Sequence, residues 1–102
     1  MTAQELTAMI DQSISERKSF KNVLDLNKCR VTPTLQDFYS SMEVTRPEKL
    51  WLVLEEHPDT HGGYAIVYDE GMAAFGLATP GKNGKRIAVG FHGSFCDALE
   101  AM

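Results

Sequence analysis

Along residues 74–78 and 87–91 bulky and small residues alternate. Phe75, Leu77, Ile87, Val89 and Phe91 hold odd positions, with Ala74, Gly76, Ala78, Ala88 and Gly90 between them. Strand side chains alternate faces, so this period of two predicts two strands, each with a bulky face and a small one. Upstream, Tyr64-Ala65-Ile66-Val67-Tyr68 is rich in β-branched and aromatic residues, and Asp69-Glu70-Gly71 supplies a turn. In Leu50-Trp51-Leu52-Val53-Leu54 periodicity does not separate a buried strand from a short buried helix. Its length and the return to polar residues at Glu55 favour a strand. The expected sheet is a four-stranded antiparallel meander in chain order.

The alternation also constrains the last turn. Placing all the bulky residues on one face sets Leu77 opposite Val89 and requires a loop of odd length, because a one-residue slip flips every side chain. A three-residue loop from Lys82 to Gly84 is expected, with Gly84 at positive φ in a bulge. The competing arrangement is a two-residue Asn83-Gly84 turn, which pairs Leu77 with Gly90 and sets large opposite small.

Helical spacing brackets the sheet. Thr2 and Glu5 form a capping box, so a helix is expected from Ala3, with Leu6, Met9, Ile10 and Ile14 on one stripe. It ends near Lys18 or bends and continues through Phe20, Val23 and Leu24. Thr32-Pro33 signals a second helix start, followed by Leu35, Phe38, Tyr39 and Met42 at core-facing spacing. Ser94 caps a C-terminal helix whose apolar stripe is Phe95, Ala98, Leu99 and Met102, with Asp97 suited to its positive end. The fold class is therefore α+β in one domain, 1–102: two N-terminal helices, the meander, and a C-terminal helix.

Charge narrows the partners. The net charge of −4 is uneven: residues 1–49 hold seven basic and seven acidic groups, residues 50–102 three and seven. An acidic second half argues against nucleic acid, and the basic stretch from Arg17 to Arg30 reads as a solvated face. No apolar run is long enough to span a bilayer and no leader is legible in residues 1–15, so no membrane partner is expected. Cys29 and Cys96 read as reduced thiols in a cytoplasmic protein.

Three clusters carry candidate chemistry. Gly76 to Asn83 approaches a phosphate-binding loop, but Asn83 stands where a Ser or Thr must hold Mg²⁺, and a strand follows where a helix is needed. Glu55 to His61 gathers potential metal ligands, with His57 and His61 four apart; Pro58 and Gly62-Gly63 argue against the helix that would align them. The balance falls to a polar loop without a metal. His92, Ser94, Cys96 and Asp97 lie within six residues, yet His92 replaces the first Gly of a nucleophile elbow and Ser94 reads as a cap. No cofactor is expected, and the balance falls against an enzyme.

The phrases Phe75-Gly76-Leu77-Ala78 and Gly90-Phe91-His92-Gly93-Ser94-Phe95, with Leu99 and Met102, resemble small uncharacterised bacterial proteins encoded on integron (mobile) gene cassettes. The resemblance covers about the last third of the chain. It implies a small α+β cytoplasmic protein, often an oligomer, and carries no catalytic residue. The expected function is a homo-oligomeric protein-interaction module. The alternative is a binder of a small apolar ligand, walled by the Ala/Gly sheet face and by Trp51, Tyr64 and Tyr68. His92 completes the ligand or interface candidates. A homodimer is expected because strands 74–78 and 87–91 carry no charge on either face, and three short helices cover only one. Its interface is expected at the bare sheet face or edge, near Trp51 or Tyr64.

Overall fold

All five residues from Leu50 to Leu54 are buried, which a strand achieves only with cover on both faces. A computed structural model describes residues 1–16, 26–40, 43–60, 62–81 and 85–102 and shows how both covers arise. The elements are α1 (Ala3–Glu16), α2 (Leu26–Cys29), β1 (Arg30–Ser40), β2 (Glu43–His57), β3 (Gly62–Asp69), β4 (Ala74–Pro80), β5 (Arg86–Gly93) and α3 (Phe95–Ala101). The strands follow one another in chain order around a closed barrel. Successive strands run antiparallel, so with an odd number the first and last run the same way. β1 and β5 accordingly meet in parallel, at Tyr39↔Ile87 and Ser40↔Ala88.

The α+β class and the antiparallel meander stand; the counts do not. The stretch expected as a second helix is β1. Its helical spacing is not what the fold uses: of the proposed stripe Phe38 is buried, while Leu35 is 51% exposed. Met42 lies outside the described residues. Val31, Thr32 and Thr34 are β-branched, and an extended β1 gives β2 a neighbour along its free side from Arg30↔Leu54 to Ser40↔Glu43. Tertiary pairing outweighed the Thr32-Pro33 start signal. The strand assignment of 50–54 holds within β2.

The other helices form where expected. Thr2 and Glu5 complete their capping box, with the Glu5 N–H donating to Thr2 Oγ1 at 3.1 Å and the Thr2 N–H to Glu5 Oε1 at 3.0 Å. Leu6 and Ile10 are fully buried. Continuation of α1 through Phe20 and Leu24 lies outside the described residues. Ser94 caps α3 and exchanges hydrogen bonds with Asp97. Among the described residues no helix is long and apolar enough to cross a membrane.

The β4–β5 register differs from the expected one in an instructive place. Next to the turn, Gly81 N–H donates to the Lys85 carbonyl at 2.7 Å, and Thr79↔Ile87 and Ala78↔Ala88 keep the expected step. Then Val89 is an extra residue in β5, and Leu77 pairs with Gly90 instead of Val89. The large-opposite-small pairing thus comes from a bulge, not from a two-residue turn; the loop at Lys82–Gly84 and the φ of Gly84 lie outside the described residues. A second irregularity falls at His92, between Phe75↔Gly93 and Gly76↔Phe91. Bulges bend a strand and raise its twist, which turns β5 toward β1. A Cβ at Gly76 would fall on the Gly90 carbonyl oxygen and 2.7 Å from a Phe91 ring carbon, so this close approach requires glycine.

Two apolar layers result. Inside the barrel lie Phe38, Leu50, Leu52, Ala65, Val67 and Ala78, with Ala88 and Phe91 against them. Outside it, Trp51, Leu54, Ile66, Tyr68, Phe75 and Leu77 pack against α1 and α3. Bore width grows with strand number, and eight strands leave room just for side chains. Five leave less, which explains the Ala/Gly face: it lines a narrow bore. Glu55 pairs with Ala65 and Arg86 lies two residues from Ala88, so both face this bore. There the Arg86 guanidinium donates to the Glu55 carboxylate, joining β5 to β2 across the barrel.

Candidate functional site

Directly opposed residues of neighbouring strands share a face. Leu35↔Trp51, Trp51↔Tyr68 and Tyr68↔Phe75 therefore form one row across the outer face of β1 to β4. Tyr68 and Phe75 rings are 4.7 Å apart, and Phe75 meets Phe95 of α3 edge-on at 5.8 Å. One end of the row thus closes on α3. The other end is Leu35, half in solvent. Trp51 is 9% exposed, and among the described residues its buried indole N–H has no acceptor.

Leu35 sits on an open edge. Among the described residues β1 pairs on its outer side with β5 only at Tyr39 and Ser40, and no strand lies beside 30–38 there. Thr34 to Asp37 are all exposed. Asp37 is paired to Lys49 at 2.7 Å, and Gln36 Nε2 donates to Thr34 Oγ1 at 3.0 Å. The premise behind the expected dimer shifts accordingly. Barrel closure covers the Ala/Gly face of β4 and the helices cover the outer face of β2 to β4, so what stays exposed lies along the edges of β1 and β5, at Leu35 and Val89. Sequence reasoning missed Leu35 because it read 32–42 as helix; the β-branched Val31-Thr32 and Thr34 were the available signal.

The other candidates separate. Trp51 and Tyr68 meet on the outer face, while the Ala/Gly face turns inward against Phe38 and Phe91, so these do not wall one pocket. Tyr64 is 38% exposed near the start of β3, where its N–H donates to Glu56 Oε1 at 3.0 Å. His92 is exposed at the far end of β5. Cys96 is 1% exposed and tied to α1: Ser13 Oγ donates to its sulfur at 3.2 Å, and its S–H donates to the Ser13 carbonyl at 3.3 Å. A thiol so enclosed is a packing group.

His57 is exposed at the end of β2, its Nε2 3.9 Å from Glu56 Oε1; His61 lies outside the described residues. A hollow of about 250 Å³ adds Cys29, whose S–H donates to the Glu56 carbonyl at 3.5 Å. Among the described residues no three His, Cys, Asp or Glu side chains converge as a metal site needs. An open groove of about 350 Å³ runs between α1 and the start of α3, with Met9, Phe75 and Phe95 supplying its apolar surface and Gln12 and Glu16 polar positions along α1. Near the turn that borders it, Glu70 accepts from the Met1 ammonium at 2.7 Å and holds its pKa above the ordinary 8.0.

The chain matches no family model, no curated protein and no solved structure.

Proposed function

We propose that this is a cytoplasmic protein-interaction module that acts by binding a second copy of itself, with no catalytic step of its own. The supporting observation is the open outer edge of β1, where, among the described residues, no strand lies beside 30–38 and Leu35 is half exposed. A strand edge of this kind is a ready template for another strand. The resemblance to integron-cassette proteins, often oligomers, points the same way. Light scattering across a dilution series tests the reading. The expected result is a mass that rises from 11.3 kDa toward twice that value with concentration. A single 11.3 kDa species up to high micromolar concentration overturns it.

The groove beside α1 supports a second reading, a site for a small apolar ligand. Its Met9 is 37% exposed over a floor that includes Phe75 and Phe95, and methionine adapts to varied ligand shapes. A ligand bound there raises the melting temperature in proportion to the logarithm of its concentration; no shift across an apolar-ligand screen counts against it.

A further inference from the structure

We infer that two copies pair antiparallel along β1 about a two-fold axis at Leu35, continuing one sheet across both barrels. The inference rests on the self-association proposed above and adds its geometry. In an antiparallel pair, opposed residues share a face. A two-fold normal to the sheet must therefore pass between a residue and its own copy, never between two different residues. The exposed stretch Thr34 to Asp37 leaves few choices. An axis at Asp37 opposes two carboxylates, and an axis at Gln36 sets Leu35 against Asp37 of the other copy. With the axis at Leu35, leucine opposes leucine, Thr34 opposes Gln36, and Asp37 opposes Pro33, which carries no charge.

Three observations favour a second copy of β1 as the occupant. The register at Leu35 sets no like charges against each other, because each Asp37 faces Pro33 and already holds Lys49 of its own copy. Pro33 has no N–H, so it limits the ladder to a short segment that long foreign strands cannot extend. The third lies in the aromatic row. Trp51 lies directly opposite Leu35, and the row is closed by Phe95 at its other end. Pairing at Leu35 joins the two rows into one, Trp51–Leu35 meeting Leu35–Trp51 of the second copy, and buries the leucine that each copy leaves half exposed.

The register is tested by crosslinking. Directly opposed antiparallel residues lie within reach of a disulfide. Under mild oxidation Leu35→Cys is expected to form a covalent dimer, while Thr34→Cys, which faces Gln36 of the other copy, is expected to form little. Leu35→Arg sets two like charges against each other and is expected to weaken association on the order of tenfold or more. Leu35 is exposed, so an unchanged circular dichroism spectrum separates this from unfolding. Should Leu35→Arg fail to fold, the two cysteine variants still decide the register. A wild-type dimer in which Leu35→Cys does not crosslink, or Thr34→Cys crosslinks better, overturns the register and leaves self-association standing. A wild type that stays monomeric at every concentration overturns both.

Discussion

The bore of the barrel and the layer outside it are both apolar, yet they tolerate change differently. Outside, large side chains meet two short helices, and a helix can shift to accommodate a changed neighbour. Inside, opposed backbones fix the available width, and the fit depends on pairing Phe91 with Gly76 and on three alanines, Ala65, Ala78 and Ala88, at the level of Glu55. The bore also holds a buried charge pair, Arg86 with Glu55, and among the described residues Arg86 Nη1 has no hydrogen-bond partner. Stability in a closed sheet therefore depends on what fits between strands that cannot move apart.

Substitutions sharpen that contrast. Arg86→Ala is expected to cost the most, about 3–5 kcal/mol, because it removes one partner of a buried ion pair. Replacing both partners with Met should recover much of the loss, measured by urea denaturation; a double variant as unstable as the single one would contradict the ion-pair account. In the outer layer Leu6→Ala removes a side chain with no exposure and is expected to cost about 2–4 kcal/mol, softened by movement of α1. A larger loss here than at Arg86 would invert the comparison. Gly76→Ala adds a single methyl where β5 crosses and is expected to cost roughly 1–3 kcal/mol, with the shift visible as changed amide resonances at Gly90 and Phe91. Ser94→Ala removes the α3 cap and should cost about 1 kcal/mol in thermal melts. That is the smallest effect, as befits a helix end at the surface.

How much of this was legible depends on whether a local pattern had one solution. The periods of β3, β4 and β5 had one, and so did the capping boxes at Thr2 and Ser94. Leu35, Phe38 and Tyr39 did not: their spacing fits a helix face as well as a strand. What decides is the run 50–54, which needs a neighbour on each side, and that is a long-range demand no window around Leu35 contains. The bulge at Val89 was hidden for the same reason, since bending β5 has a purpose only once β1 is known to be a strand. Of the candidate site, Trp51 and Tyr68 could be named as aromatics but not placed together. Their companion Leu35 was assigned to the wrong element.

The parallel contact between β1 and β5 has a kinetic consequence. Every other strand pair is a hairpin whose partners are near in sequence, so each closes a short loop and can form early. The contact at Tyr39 and Ser40 joins the first strand to the last, and no part of it exists until β5 has been synthesised. Until that contact forms, the strands make an open sheet with two bare edges, and closing it spans more of the chain than any hairpin does. The same contact, two residue pairs among the described residues, is the natural place for the finished barrel to open. Amide hydrogen exchange is expected to be faster at Ser40 and Ala88 than at Val67, buried in the middle of the meander. Equal protection at all three would mean that the barrel opens only by unfolding as a whole.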